Sequence, residues 1–319
     1  MIYLKPIGGL CNRMRAIDSL ISLCEKYQQD LTIIWVNNAE LNCSFNKIFV
    51  QPSITSFKFN IIECPNGFPE TYINLNKKTN QDYNFISSLK NFKNRLIADK
   101  LNTEQEKVKC EIKKIQPRQI ISNKKLAQTY SSQKQAHLML NETDKIFFTN
   151  INSLIIPLLQ NKQQSCFIES CYRIHPRVNN YTHFTPIEHI SKAVNSLAKQ
   201  FNNTIGLHIR RTDHASSIKY SNTNKFIELI NSKLKTKPET TFFLATDDQK
   251  LKEKILNQFG EKIITNNVTS FSRNNESAII QAVIDLYCLS KTKQIYGSHH
   301  STFSQTAADI GQIKEFTIK

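Results

Sequence analysis

The chain has 319 residues, 39% hydrophobic and 21% charged, a balance that fits a folded globular protein and excludes a disordered or fibrous one. One core rarely serves that length, so two domains are expected. The 42 Lys and Arg against 26 Asp and Glu leave a net charge of +16, but the lysines are scattered, which argues against a nucleic-acid-binding arm and leaves a biased genome, an anionic substrate or an anionic membrane surface as readings.

No run approaches the ~18 unbroken apolar residues of a membrane span. The first residues have no basic region ahead of a long apolar core, and read as a strand rather than a secretory signal. Ile2 to Lys5 is that strand, and Gly8 and Gly9 are its turn. Met14, Ile17, Leu20, Ile21 and Leu23 recur at helical spacing over Asn12 to Tyr27. Leu31 to Val36 is a continuous apolar run, as in a strand buried on both faces of a parallel sheet.

The stretch to about residue 180 is less regular. Thr55 to Ile62 is β-like, Ser87 to Lys100 reads as helical, and residues 70–135 are polar with weak periodicity, as an insertion would be. Ile174 to Pro186 is rich in turn formers and reads as a linker. The predicted domains are therefore 1–180 and 181–319.

Beyond the linker, helices and short apolar strands alternate. Helices are predicted at 187–201, 223–235, 248–259 and 276–291, and strands at 204–210, 241–246, 262–265 and 294–298, with a last helix from Ser301. This rhythm predicts a parallel, doubly wound sheet. The eight cysteines form no C-x-x-C pair and show no zinc-ligand spacing. Reduced thiols in a cytoplasmic protein are expected, and the Asn-x-Ser/Thr triplets at Asn42 and Asn141 are taken as accidental.

Three predicted strands of this second half end in polar residues. The first end is His208-Ile-Arg-Arg-Thr-Asp-His214, the second Thr246-Asp-Asp248, and the third Ser298-His-His-Ser-Thr302. Ligands of open α/β sheets bind at strand carboxyl ends, so three such ends imply a common crevice. A guanidinium suits a phosphate, and so does the helix start at Ser301. Arg210 and Arg211 are adjacent on a strand and point to opposite faces. Arg210 is assigned to the ligand and Arg211 to the scaffold. Asp247 and Asp248 either hold the arginines and their loop or, less favoured, bind a metal.

The first end resembles the H-x-R-R-T-D segment of α1,6-fucosyltransferases, nodulation fucosyltransferases and protein O-fucosyltransferases. Ala245 to Asp248 is similar to their second motif. Ser272 to Ser277, Val283 to Ser290 and the Ser298 to Ser304 turn resemble their third region in order and spacing. Gly8-Gly-Leu-Cys-Asn-Arg13 resembles the G-G-x-G-N-[QR] turn of related enzymes, with Cys11 in place of a glycine. The likeness covers about the last third of the chain and the first turn.

This resemblance implies an α/β fold of the GT-B type, two Rossmann-like domains facing a cleft, with 1–180 on the acceptor side and 181–319 binding the nucleotide sugar. It implies an inverting, metal-independent transfer from GDP-fucose, with no cofactor. Arg210 would bind the β-phosphate and stabilise the departing GDP. Asp285 would read the guanine, with His208 against the nucleotide, while Ser298, Ser301, Thr302 and nearby amides hold the phosphates. Asp213, Asp247 and Asp248 complete the donor wall. Gly9, Asn12 and Arg13 would reach the sugar or diphosphate from the first domain, Asn12 with a catalytic part. One departure matters. The Lys and Glu that follow the first motif in α1,6 enzymes are His214 and Ile218 here. The base is left open among His214, Glu40, Asp18 and a mechanism with little base help. The expected acceptor is a surface polysaccharide or lipopolysaccharide intermediate. A lipid carrier at the inner membrane face would suit the basic surface. Alternatives are another nucleotide-sugar donor or a non-catalytic nucleotide- or glycan-binding module. No aromatic-plus-basic motif supports a nucleic-acid partner.

Overall fold

A computed structural model describes residues 1–66, 68, 107–109, 111–112, 119–122, 154–175, 181–212, 215–267, 272 and 274–319. The predicted helix at 87–100 and most of the 70–135 insertion lie outside them. The chain divides into two compact units, Met1–Ser44 with Ser53–Asn179, and Phe45–Pro52 with Asn180–Lys319.

In the first unit, strand β1 (Ile2–Pro6) leads through the Gly8–Gly9 turn into helix α1 (Leu10–Tyr27) and then β2 (Leu31–Val36). With β3 (Phe59–Cys64), β4 (Gln119–Ile121) and β5 (Cys166–Ser170) they form a parallel sheet of order β3-β2-β1-β5-β4. Every residue of β2 is buried, because the strand has a neighbour on each side and apolar side chains on both faces. A core of Ile34, Val36, Ile62, Phe68, Ile112 and Phe167 covers one face. β4 and β5 have no counterpart in the sequence-based prediction.

The second unit contains β6 (Thr204–Ile209), β7 (Thr241–Thr246), β8 (Ile263–Thr265), β9 (Gln294–Ser298) and β10 (Lys314–Ile318). Between them run helices α2 (Glu188–Ala198), α3 (Ala215–Tyr220), α4 (Thr223–Thr236), α5 (Gln249–Phe259), α6 (Glu276–Ser290) and α7 (Thr302–Gly311). α2 precedes β6. The sheet is again parallel, of order β10-β9-β6-β7-β8. Its first strand, β6, sits in the middle, and the chain winds first to one side and then to the other. That is the doubly wound order, with its switch point between β6 and β9. Leu207, Ile209, Phe226, Ile230, Phe242, Leu244, Leu251 and Ile255 pack between the sheet and helices α4 and α5.

The expected boundary at residue 180 needs one amendment, because the short segment 45–52 packs within the second unit. The Phe49 and Phe184 rings meet edge-on with centroids 5.2 Å apart, and Phe45 lies 5.4 Å from Phe49. Val50 N–H donates to the Thr185 carbonyl at 2.8 Å and Ile187 N–H to Ile48 at 3.2 Å. The latter part of the expected linker is therefore core, with Tyr181 and Phe184 buried. An aromatic pair of this kind adds about 0.5–1.5 kcal/mol beyond its area burial.

Candidate functional site: the carboxyl ends of the second sheet

Helix α7 approaches β9 closely because Gly297 has no side chain. A Cβ there would lie 2.2 Å from the Ser304 hydroxyl. The approach sets the start of α7 beside the end of β6. Ser301 caps α7, its Oγ accepting from Phe303 N–H at 3.3 Å, and the same Oγ lies 3.1 Å from His208 Nδ1. Phe303 stacks on the imidazole at 4.8 Å and 27°. His208 is buried, and burial is the main cause that pushes its pKa down to about 4. Asp247 opposes that shift and Arg210 adds to it. The ring is neutral near pH 7 and acts as a hydrogen-bonding plate rather than a cation.

Ser298 Oγ ties the two sides of the switch point, donating to the His208 carbonyl at 3.3 Å and accepting from Arg210 N–H at 3.1 Å. Arg210 is half-buried just past β6. Thr302 opens α7, which has no acidic residue in its first turn. A cation and the positive end of a helix dipole thus flank the switch point, an arrangement suited to a diphosphate.

Arg211 takes a different task. Its Nε donates to Thr223 Oγ1 at 3.2 Å, Nη1 to the Arg210 carbonyl at 2.8 Å, and Nη2 to the Ser221 carbonyl. Asp247 receives Arg211 N–H at 2.7 Å and both the amide and hydroxyl of Thr212, at 3.2 and 2.7 Å. Asp248 caps α5 by accepting from Leu251 N–H at 3.0 Å. Asp247 and Asp248, expected on the donor wall, are engaged in the scaffold that shapes the Arg210 loop. Asp213 and His214, the expected donor contact and base, lie outside the described residues.

Asp285 is buried on α6, and its Oδ1 has no hydrogen-bond partner among the described residues. Burial lifts its pKa to about 7, while the Lys252 ammonium and the Asn266 side chain pull it back. Lys252, on α5, is itself buried and donates to the Asn266 carbonyl at 2.5 Å. Asn266 Nδ2 in turn donates to the Gln281 carbonyl on α6 at 3.3 Å. Lys252, Asn266 and Phe303 were not singled out in the sequence. Lys252 stands in the first turn after β7, at the carboxyl edge of the sheet, and that position was the available signal.

In the first unit, Gly8 has φ +82° and its N–H donates to Glu40 Oε2 at 2.8 Å. The turn brings Gly9 to the start of α1, where it accepts from Asn12 N–H at 3.0 Å. The Asn12 side chain packs over Gly8, where an added Cβ would lie 2.8 Å from Asn12 Nδ2. Arg13, expected to reach the donor, is instead fully buried within its own unit. Its Nε, Nη1 and Nη2 donate to Gly8 O, Val36 O and Asn38 Oδ1 at 2.8, 2.5 and 2.9 Å, and it lies over the Trp35 ring. Asp18, one candidate base, is fully buried and paired with Arg173 at 2.8 Å, which removes it from that role. Glu40 remains exposed.

Among the described residues, no helix is long and apolar enough to cross a membrane and no group of three or more His, Cys, Asp or Glu comes together as a metal cluster. The seven described cysteines form no disulfide, and all but Cys171 are buried.

No family model matches the chain, and no curated protein matches it in sequence. Solved structures do match in three dimensions. A NodZ α-1,6-fucosyltransferase soaked with GDP-fucose superposes at TM-score 0.55 with 12% identity, over 97% of this chain and 92% of that one. The chain has the fold of the fucosyltransferases. An Arabidopsis thaliana FUT1 mutant in complex with GDP gives TM-score 0.53 and 12% identity, over 99% of this chain and 69% of that one. POFUT1 in complex with GDP gives 0.52 and 9%, over 99% and 98%. At such identities the likeness is one of fold.

Proposed function

We propose that this chain is an inverting, metal-independent glycosyltransferase that moves fucose from GDP-fucose to a glycan acceptor. Asp285 carries the reading: a buried carboxylate oxygen without a partner suits the N1–H and 2-amino donors of a guanine edge, which adenine and the pyrimidines do not offer together. The donor's diphosphate fits the switch point, with Arg210 as its counter-ion and the start of α7, at Ser301 and Thr302, as its amide cradle. His208 lies against the nucleotide. Breaking the glycosidic bond builds negative charge on the departing GDP, and a fixed guanidinium lowers that barrier, by about 3–4 kcal/mol for one such group. The fucosyltransferase fold supports the choice of sugar.

His214 is the proposed base, with Glu40 the alternative. The proposed acceptor is a surface polysaccharide or lipopolysaccharide intermediate, handled in the cytoplasm at the inner face of the membrane. The net charge of +16 supports an anionic surface as its working place.

Calorimetry with GDP, UDP, ADP and CDP, each with and without a chelator, tests the reading. GDP binding well ahead of the others, unchanged by EDTA, is expected. Equal affinity for GDP and UDP defeats the guanine assignment, and EDTA-sensitive binding defeats metal independence.

A further inference from the structure

Asp285 poses a problem that its own helix does not solve. A carboxylic acid that carries its proton cannot accept from both donors of a guanine edge. Burial alone drives Asp285 toward that protonated form. Its partner has to be a positive charge close enough to be felt and held firmly enough not to cover the free oxygen. Lys252 has both properties. Its ammonium is buried at 7% exposure and tethered to the Asn266 carbonyl at 2.5 Å. It closes no ion pair on Asp285 within 4.0 Å, and Asp285 Oδ1 is left open. Asn266 is fastened at its other end to Gln281, one turn before Asp285 on α6.

We infer that Lys252, tethered by Asn266, is a positioning residue for base specificity: it favours the ionised form of Asp285 and leaves Oδ1 open, ready for the N–H donors of guanine. The inference rests on the GDP-sugar reading above and deepens it. The electrostatics agree. Lys252 is the charged group that draws Asp285 back from its burial-driven rise, and Asp285 in turn supports the charge on Lys252, which burial lowers. The other titratable groups on elements packed against α6 are Glu188, His189 and Lys192 on α2, His208 on β6 and Asp309 on α7. None of them contributes to the shift of Asp285, and Cys288 on α6 itself stays a thiol, its pKa pushed up to about 12 chiefly by burial.

The test is GDP and UDP titration by calorimetry between pH 6 and 8.5, in two buffers of different ionisation enthalpy, on the parent, Lys252→Met and Lys252→Arg. For the parent, GDP binding is expected to tighten as pH rises through about 7 and to release a proton. Lys252→Met moves that dependence to higher pH. A shift of about one pKa unit makes GDP binding about fivefold weaker at pH 7 and nearly normal at pH 8.5. Lys252→Arg stays close to the parent. A residue that merely supports the fold would weaken binding by the same factor at every pH, and that outcome overturns the inference. So does proton-free, pH-independent binding of GDP by the parent, even if Lys252→Met does not fold. A parent that does not prefer GDP to UDP defeats the underlying reading instead.

Discussion

His208 Nδ1 and Ser301 Oγ meet at 3.1 Å, 93 residues apart in the chain, and join the end of β6 to the cap of α7. One hydroxyl serves both the helix and the imidazole. Ser301→Ala therefore removes a cap worth about 1 kcal/mol and strands a buried ring nitrogen at about 1–3 kcal/mol. Urea unfolding should show a loss of about 2–4 kcal/mol, accompanied by weaker GDP binding. A loss of only a few tenths of a kcal/mol would mean that the contact is incidental.

Two buried groups should oppose each other in acid. Asp285 holds its proton up to about pH 7 in the folded state, against 3.8 ordinarily, so its contribution to stability falls as pH rises between those values. His208 is depressed to about 4 from 6.5, so the unfolded state takes up the proton and stability falls as pH drops through that range. Each slope is at most about 1.4 kcal/mol per pH unit. Asp285→Asn removes the first. The variant should be more stable than the parent at pH 8, should gain stability more steeply from pH 4 to 6.5, and should lose its preference for GDP. Identical unfolding curves for the two proteins across this range contradict the burial of a charged Asp285.

The adjacent arginines should separate cleanly by mutation. Arg210→Ala is expected to lower the melting temperature less than Arg211→Ala, to weaken GDP binding and to lower turnover about 10²–10³-fold. Arg211→Ala unties Thr223, Ser221 and the Arg210 carbonyl, and should cost about 2–3 kcal/mol of stability. If Arg210→Ala proves the destabilising one of the pair, the assignments are reversed.

Gly297→Ala puts a methyl group 2.2 Å from Ser304 Oγ. It should push α7 off β9, cost about 1–3 kcal/mol and weaken GDP binding through the displaced Ser301 cap. Ser304→Gly in the same chain should recover part of both. Additive effects in this double-mutant cycle would show that the crowding arises elsewhere.

The elements of the second unit were legible because their apolar spacing is strong and their helices are well punctuated. β7 and β9 fall where the sequence places them, as does β2 of the first unit. β10 was not legible. Lys314–Ile318 is an edge strand with exposed side chains, and it reads as a polar tail until β9 offers it hydrogen bonds. The segment 45–52 was misplaced for the opposite reason: Phe45 and Phe49 are plainly apolar, but nothing local says which core they join.

The sequence by itself determined the alternation of strands and helices, the clustering of His208, Arg210, Ser298 and Ser301 at strand ends, and the resemblance that drew Asp285 into the site. The first two are properties of neighbours in the chain, which apolar spacing exposes; the third rests on the likeness of motifs. Tertiary structure alone decided which charges are spent on the scaffold. The guanidinium donors of Arg13 and Arg211 are consumed by carbonyls and side chains that the fold brings to them. Lys252 looks like any lysine of an amphipathic helix until folding buries it where its charge acts on Asp285, whose Oδ1 has no partner among the described residues. Burial and pairing depend on the whole fold, and they settle whether a charged side chain is available for chemistry.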